Sequence, residues 1–89
     1  MRMNTEGSRF CVYAIKSKAS GRVYIGQTDD LARRLKEHNS GRVISTKHDV
    51  PWKILAFEVF HDRAQARWYE GRLKGSKGKR LQWLDRNRI

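Results

Sequence analysis

Apolar and aromatic residues fill the stretch from Arg9 to Lys16, and a second β-prone stretch runs from Gly21 to Thr28 after a Ser17-Lys-Ala-Ser-Gly21 loop. Two such runs joined by a short polar loop predict an antiparallel hairpin. Its register follows from parity, because directly opposed residues point to one face and a one-residue slip turns a whole strand over. An odd sum of paired numbers, such as 37, places Val12, Ala14, Val23 and Ile25 on one face and Tyr13, Ile15, Tyr24 and Gly26 on the other. An even sum would leave Val12 and Ala14 without apolar partners. Odd parity buries more, and it brings Tyr13 and Tyr24 side by side.

The period then changes. Thr28 or Asp29 can cap a helix that runs through Asp30–His38, with Leu31 and Leu35 as its apolar stripe and Gly41 just past its end. Arg34 and His38 are four residues apart and so share a face beside that stripe. Residues 41–51 are polar and of mixed charge, which predicts a loop. Trp52–Phe60 reads as a third strand, buried near its middle. Asp62 with Gln65 resembles a capping box, and the helix behind it carries Ala66, Tyr69 and Leu73 on one face and ends at Gly75. The Gly- and Lys-rich stretch Gly75–Arg80 predicts a turn, followed by a short amphipathic segment with Leu81, Trp83 and Leu84. The expected fold class is α+β: a small three-stranded antiparallel sheet flanked by about three helices in the order β-β-α-β-α-α. Residues 1–8 are expected to be a flexible N-terminal segment, with residues 9–89 forming one domain.

Composition narrows the partners. In 89 residues there are 20 Lys and Arg against 9 Asp and Glu, a net charge of +11. Clustered cations gain affinity for polyanions by releasing condensed counterions, so nucleic acid is the leading partner. Nine basic and two acidic residues lie between Arg63 and Arg88, so the C-terminal third holds most of that excess. Apolar runs such as Ile54–Phe57 are far short of the roughly 20 residues of a bilayer span, which argues against a membrane role. The polar start of the chain does not resemble a secretory signal, and the one cysteine, Cys11, rules out an internal disulfide or a zinc cage. An intracellular setting, cytoplasm or nucleoid, or nucleus in a eukaryote, is the expectation.

In chain order the sequence offers Val12-Tyr13, Tyr24-Ile25-Gly26, Leu31-x-x-Arg34-Leu35-x-x-His38, Pro51-Trp52-x-x-Leu55, and Glu70 with Lys74. Taken singly, each element has a plain structural role: a cross-strand aromatic pair, an exposed helix charge, an i, i+4 ion pair, a histidine at a helix C-terminus. As an ordered set they resemble the GIY-YIG nuclease domain over nearly the whole chain. The likeness is strongest to its small standalone members and to the catalytic subunits of structure-specific endonucleases. Two positions depart from that pattern: Cys11-Val12 opens the hairpin where Gly-Ile is usual, and Gln27 stands where repair-nuclease relatives carry lysine.

The resemblance implies a metal-dependent endonuclease that hydrolyses DNA phosphodiester bonds, with Tyr13, Tyr24, Arg34, His38 and Glu70 as catalytic residues. Glu70 would hold one Mg²⁺ or Mn²⁺, with water and phosphate completing the shell. Arg34 would oppose charge on the phosphate. A tyrosine would act as general base, Tyr24 being favoured with Tyr13 as its hydrogen-bond partner. Gly26 would let the strand bend and the substrate approach. Arg33, Lys74, Lys77, Lys79 and Arg80 are candidate DNA contacts. Absent an appended DNA-reading domain, specificity is expected to come from DNA structure more than from sequence, in repair, recombination, restriction or mobile-element settings. Two alternatives stay open: a non-catalytic nucleic-acid-binding module in which Trp68 and Trp83 stack on bases, and a subunit active only with a protein partner that supplies specificity.

Overall fold

The computed structural model describes residues 9–89, so the N-terminal segment lies outside the described residues. Three strands, β1 (Phe10–Ser17), β2 (Val23–Thr28) and β3 (Trp52–Phe60), form one antiparallel sheet in the order β2-β1-β3. Helix α1 (Leu31–Asn39) follows β2, and α2 (Arg63–Gly75) and α3 (Lys77–Asn87) follow β3. The α+β architecture is as the sequence predicts.

The hairpin has odd parity. Paired residues sum to 39, so Tyr13 lies opposite Gly26 and Tyr24 opposite Ile15, and the two tyrosines are diagonal neighbours with ring centroids 6.5 Å apart. Between Ala14 and Ile15 the pairing with β3 slips by one residue, leaving Leu55 as the extra residue of a β-bulge. Because side chains alternate with period two, that one residue reverses the facing of the strand. Trp52 and Ile54 pack with Cys11, Tyr13 and Ile15 against the α1 stripe of Leu31 and Leu35. Beyond the bulge, Ala56 and Phe60 join Val12, Ala14 and Ile25 on the opposite face, under Ala66, Leu73, Trp83 and Leu84 from α2 and α3. The chain end closes over the bulge, where the Ile89 amide donates to the Leu55 carbonyl.

Three local expectations are corrected. The cap of α1 is Asp30, whose carboxylate accepts from the Arg33 amide, while Thr28 Oγ1 accepts from the Asp30 amide one step earlier. The acidic residues therefore precede the helix. Gly75–Arg80 is not a turn, since a single residue, Ser76, separates α2 from α3 and caps the latter by accepting from the Lys79 amide. That cap and the burial of Trp83 and Leu84 outweigh the cost of Gly78 in the first turn, roughly 1 kcal/mol. Finally, Trp83 is 0% exposed and donates from Nε1 to Glu58 Oε1 at 2.8 Å, so it is a core residue and no stacking platform.

Candidate active site

The α1 face of the sheet carries an enclosed polar chain. Tyr13, projecting from the middle strand, is 1% exposed, and its hydroxyl lies 2.8 Å from His38 Nε2 in the last turn of α1. The His38 Nδ1 is in turn 2.8 Å from Thr46 Oγ1, in the segment between α1 and β3. His38 and Thr46 are both fully buried. Tyr13 hydrogen-bonds to His38, where the sequence suggested Tyr24. The hydroxyl proton of Thr46 is directed to the Val43 carbonyl at 3.4 Å, which leaves its oxygen to accept from a protonated Nδ1. Nε2 is then the bare nitrogen, and the Tyr13 O–H donates to it. Burial drives the His38 pKa down to about 4, with Arg34 adding to the drop, so the imidazole is neutral at pH 7. Burial likewise pushes the Tyr13 phenol up to about 12, partly opposed by the nearby Arg34 guanidinium.

Gly26 has a reason different from the one expected. The Tyr13 ring crosses directly over it, so a Cβ at this position would lie 2.6 Å from the hydroxyl oxygen and 2.7 Å from Cζ. The bare strand position is the space in which the catalytic candidate lies.

Tyr24 is only half-buried. Its ring packs edge-on to His38, with centroids 5.2 Å apart, and to Trp52 at 6.4 Å. Helix α2 brings Glu70 and Lys74 to the same edge: Lys74 Nζ lies 2.9 Å from Glu70 Oε2 and 5.5 Å from the centre of the Tyr24 ring. Arg34, on α1, is held by Glu37 at 2.9 Å, which raises its pKa further and keeps it charged. The plain ion-pair reading of Glu70 is thus present in the structure, and it coexists with the convergence of both tyrosines, Arg34, His38 and Glu70. The Glu70 carboxylate raises, and the Arg34 charge lowers, the pKa of Tyr13, so the three groups sense one another electrostatically.

Among the described residues, no group of three or more His, Cys, Asp or Glu side chains is placed to hold a metal ion. Among the described residues Glu70 is the carboxylate that acts on the Tyr13 phenol, and its oxygens suit a hard divalent cation whose remaining ligands are water and phosphate. Lys74 is half-exposed and can swing into solvent to release the second oxygen. The donor set therefore fits such an ion.

The candidate DNA contacts separate. Lys77 and Lys79 project into solvent, and Arg33 is tied to Asp29 at 2.8 Å. Arg80 donates to the Leu73 carbonyl at 3.0 Å, so it caps α2. His48 and His61 are exposed and outside the site. Thr46 is the site residue that sequence reasoning missed. Its signal was slight: a hydroxyl eight residues after His38 in a polar loop.

Residues 9–82 match the GIY-YIG catalytic domain model. The chain belongs to that family. The nuclease family that its motifs resemble is thus the one to which it is assigned. Among similar proteins, the structure-specific endonuclease subunit slx1 of Schizosaccharomyces pombe is 47% identical over 51 residues, covering 51% of this chain and 19% of its own. The subunit SLX1 of Paracoccidioides brasiliensis is 33% identical over 87 residues, covering 90% of this chain and 21% of its own. The chain thus spans about a fifth of the length of these relatives. Among solved structures, the UPF0213 protein BH0048 of Bacillus halodurans superposes with a TM-score of 0.55 at 30% identity, over 86% of this chain and 83% of that one.

Proposed function

We propose that this GIY-YIG domain is a divalent-metal-dependent endonuclease that hydrolyses DNA phosphodiester bonds and selects DNA by structure more than by sequence. The observation that carries the reading is the coupled set at the β2 edge: Tyr13 bonded to a neutral, buried His38, with Tyr24, Arg34 and Glu70 converging on it. The names of the relatives, structure-specific endonuclease subunits, support the substrate class.

Each residue has a task that its environment suits. Arg34 is permanently charged and presents a fork of donors to a phosphate oxygen, where negative charge grows in the transition state. Tyr24, the more accessible of the two tyrosines, receives the proton of the attacking water as its phenolate, its own proton having passed to solvent beforehand. Tyr13, its own proton committed to His38, holds the opposite wall of the site. Glu70 would hold the divalent cation, Mg²⁺ or Mn²⁺, which when bound neutralises charge on the scissile phosphate and lowers the pKa of water.

The test is a panel of linear, nicked, flap and four-way-junction DNA, with and without Mg²⁺, comparing the wild-type chain with Glu70→Ala. Metal-dependent cleavage of branched substrates that Glu70→Ala abolishes is the expected result. Equal residual cleavage by both proteins overturns it. The word "subunit" in the names of the relatives favours one second reading, an activity that appears only with a protein partner. Robust cleavage by the isolated chain removes that reading.

A further inference from the structure

Helix α2 presents a second surface on the side turned away from Glu70. An open groove of about 530 Å³ is walled by Phe60, Trp68 and Tyr69, with ring centroids 5.3 Å apart for Phe60–Tyr69 and 6.4 Å for Trp68–Tyr69. Trp68 is 62% exposed, a large apolar area to leave in water on a small domain. The other two tryptophans are buried. The Arg72 guanidinium lies 4.7 Å from the Trp68 ring centre, and Arg86 donates to the Tyr69 hydroxyl at 3.0 Å.

Tyr69 is also a wall of a smaller depression between α2 and α3, which is lined by Arg72, Lys79 and Arg86. None of these three cations has a carboxylate partner among the described residues, whereas Arg22, Arg33, Arg34 and Lys74 all do. An aromatic slot thus adjoins a cluster of uncompensated positive charge, with one tyrosine between them.

We propose that this double depression binds one nucleotide of an unpaired DNA strand, the base stacked in the Trp68 groove and its phosphate held by Arg72, Lys79 and Arg86. Base and phosphate are the two chemistries the surface offers, and a single-stranded nucleotide supplies both at adjacent positions. A protein occupant would need an aromatic or aliphatic anchor and a separate acidic cluster placed to match. The site deepens the nuclease reading and rests on it for its substrate: an unpaired nucleotide is what separates DNA with a single-stranded flap from plain duplex. The surface shares helix α2 with Glu70 but lies on its far side, so a strand held there must pass around the helix to reach the candidate active site.

Binding is measured without metal, so that absence of cleavage and absence of this site give separate results. Trp68 is the exposed tryptophan, and quenching of intrinsic fluorescence therefore reports on the groove. The probes are an oligothymidylate and an abasic oligodeoxynucleotide of equal length, which keeps the phosphates and removes the bases. The oligothymidylate is expected to quench and to bind roughly tenfold more tightly than the abasic strand. Trp68→Ala should erase that difference, and Trp68→Phe, which keeps a ring, should restore part of it. Arg72→Gln and Arg86→Gln should weaken both strands alike and reduce the salt slope by about one each. Equal affinity of the wild-type protein for the two strands overturns the proposal. So does a folded Trp68→Ala protein that still prefers the oligothymidylate, which leaves the groove to a protein occupant.

Discussion

The two faces of the sheet solve opposite problems with the same three strands. Under α2 and α3 the buried set is Val12, Ala14, Ile25, Ala56, Ala66, Leu73 and Leu84, with Trp83 donating its one polar proton to Glu58. Under α1, Tyr13, His38 and Thr46 are buried just as deeply, and each finds a hydrogen-bond partner in the next. Burial on the first face removes apolar surface from water and sustains the fold. On the second it fixes a proton arrangement, because enclosed polar groups cannot exchange partners with solvent without large cost. One face can lose shape and keep its chemistry; the other can lose its chemistry and keep its shape.

That contrast can be broken from either side. On the chemical face, Arg34→Ala should lower the cleavage rate of bound DNA by roughly 10² to 10³, as for loss of one charge-stabilising donor, with the denaturation midpoint little changed. Single-turnover cleavage and urea unfolding of the same preparation measure both. On the apolar face the expectation inverts. Trp83→Ala should cost about 3–5 kcal/mol of stability and leave Glu58 without its donor, while the rate per folded molecule is retained.

Acid separates the faces without mutation. His38 is held neutral with its pKa near 4, below the ordinary value of 6.5, so the unfolded chain binds more protons than the folded one between those two values. Stability is therefore full above about pH 6.5, falls as pH drops toward 4, and levels off below, a total of about 3 kcal/mol. A His38→Gln protein should lack that segment of the stability–pH curve; an unchanged curve would show that burial of the imidazole is not its origin. A smaller effect is expected one bond further out. Thr46→Val keeps shape but removes the acceptor for His38 Nδ1–H, and should slow cleavage about tenfold and shift its pH profile, with Thr46→Ser restoring both. The smallest is at the surface: Lys77→Ala should lower the slope of log affinity against log salt by about one.

The sequence was more legible on the apolar face and in the hairpin than in the polar chain. Alternation in residues 10–28 gave the parity that places Tyr13 and Tyr24 on one face, since a face reversal would have stranded Val12 and Ala14. The pairing sum of 39 in place of 37 depends on loop geometry that alternation does not encode. Lysines and glycines masked the start of α3, because propensity counts residues one at a time and the burial of Trp83 is a tertiary gain. The same charged flanks made Trp83 look like a surface aromatic. Thr46 was invisible for another reason: its role exists only once the loop folds back over His38, 8 positions earlier.

The extra residue at Leu55 sets what kinds of sequence change the domain can absorb. A strand with one bulge is read in two phases, one for each side, and substitutions preserve both. Deletion of Leu55 would merge them. Trp52 and Ile54 would then either turn away from the tyrosines or drag Ala56 and Phe60 out of the α2–α3 core. For this strand the spacing of residues is inherited information in its own right, as binding as their identity, and a library that allowed length changes here would lose the site in variants whose every side chain was still correct.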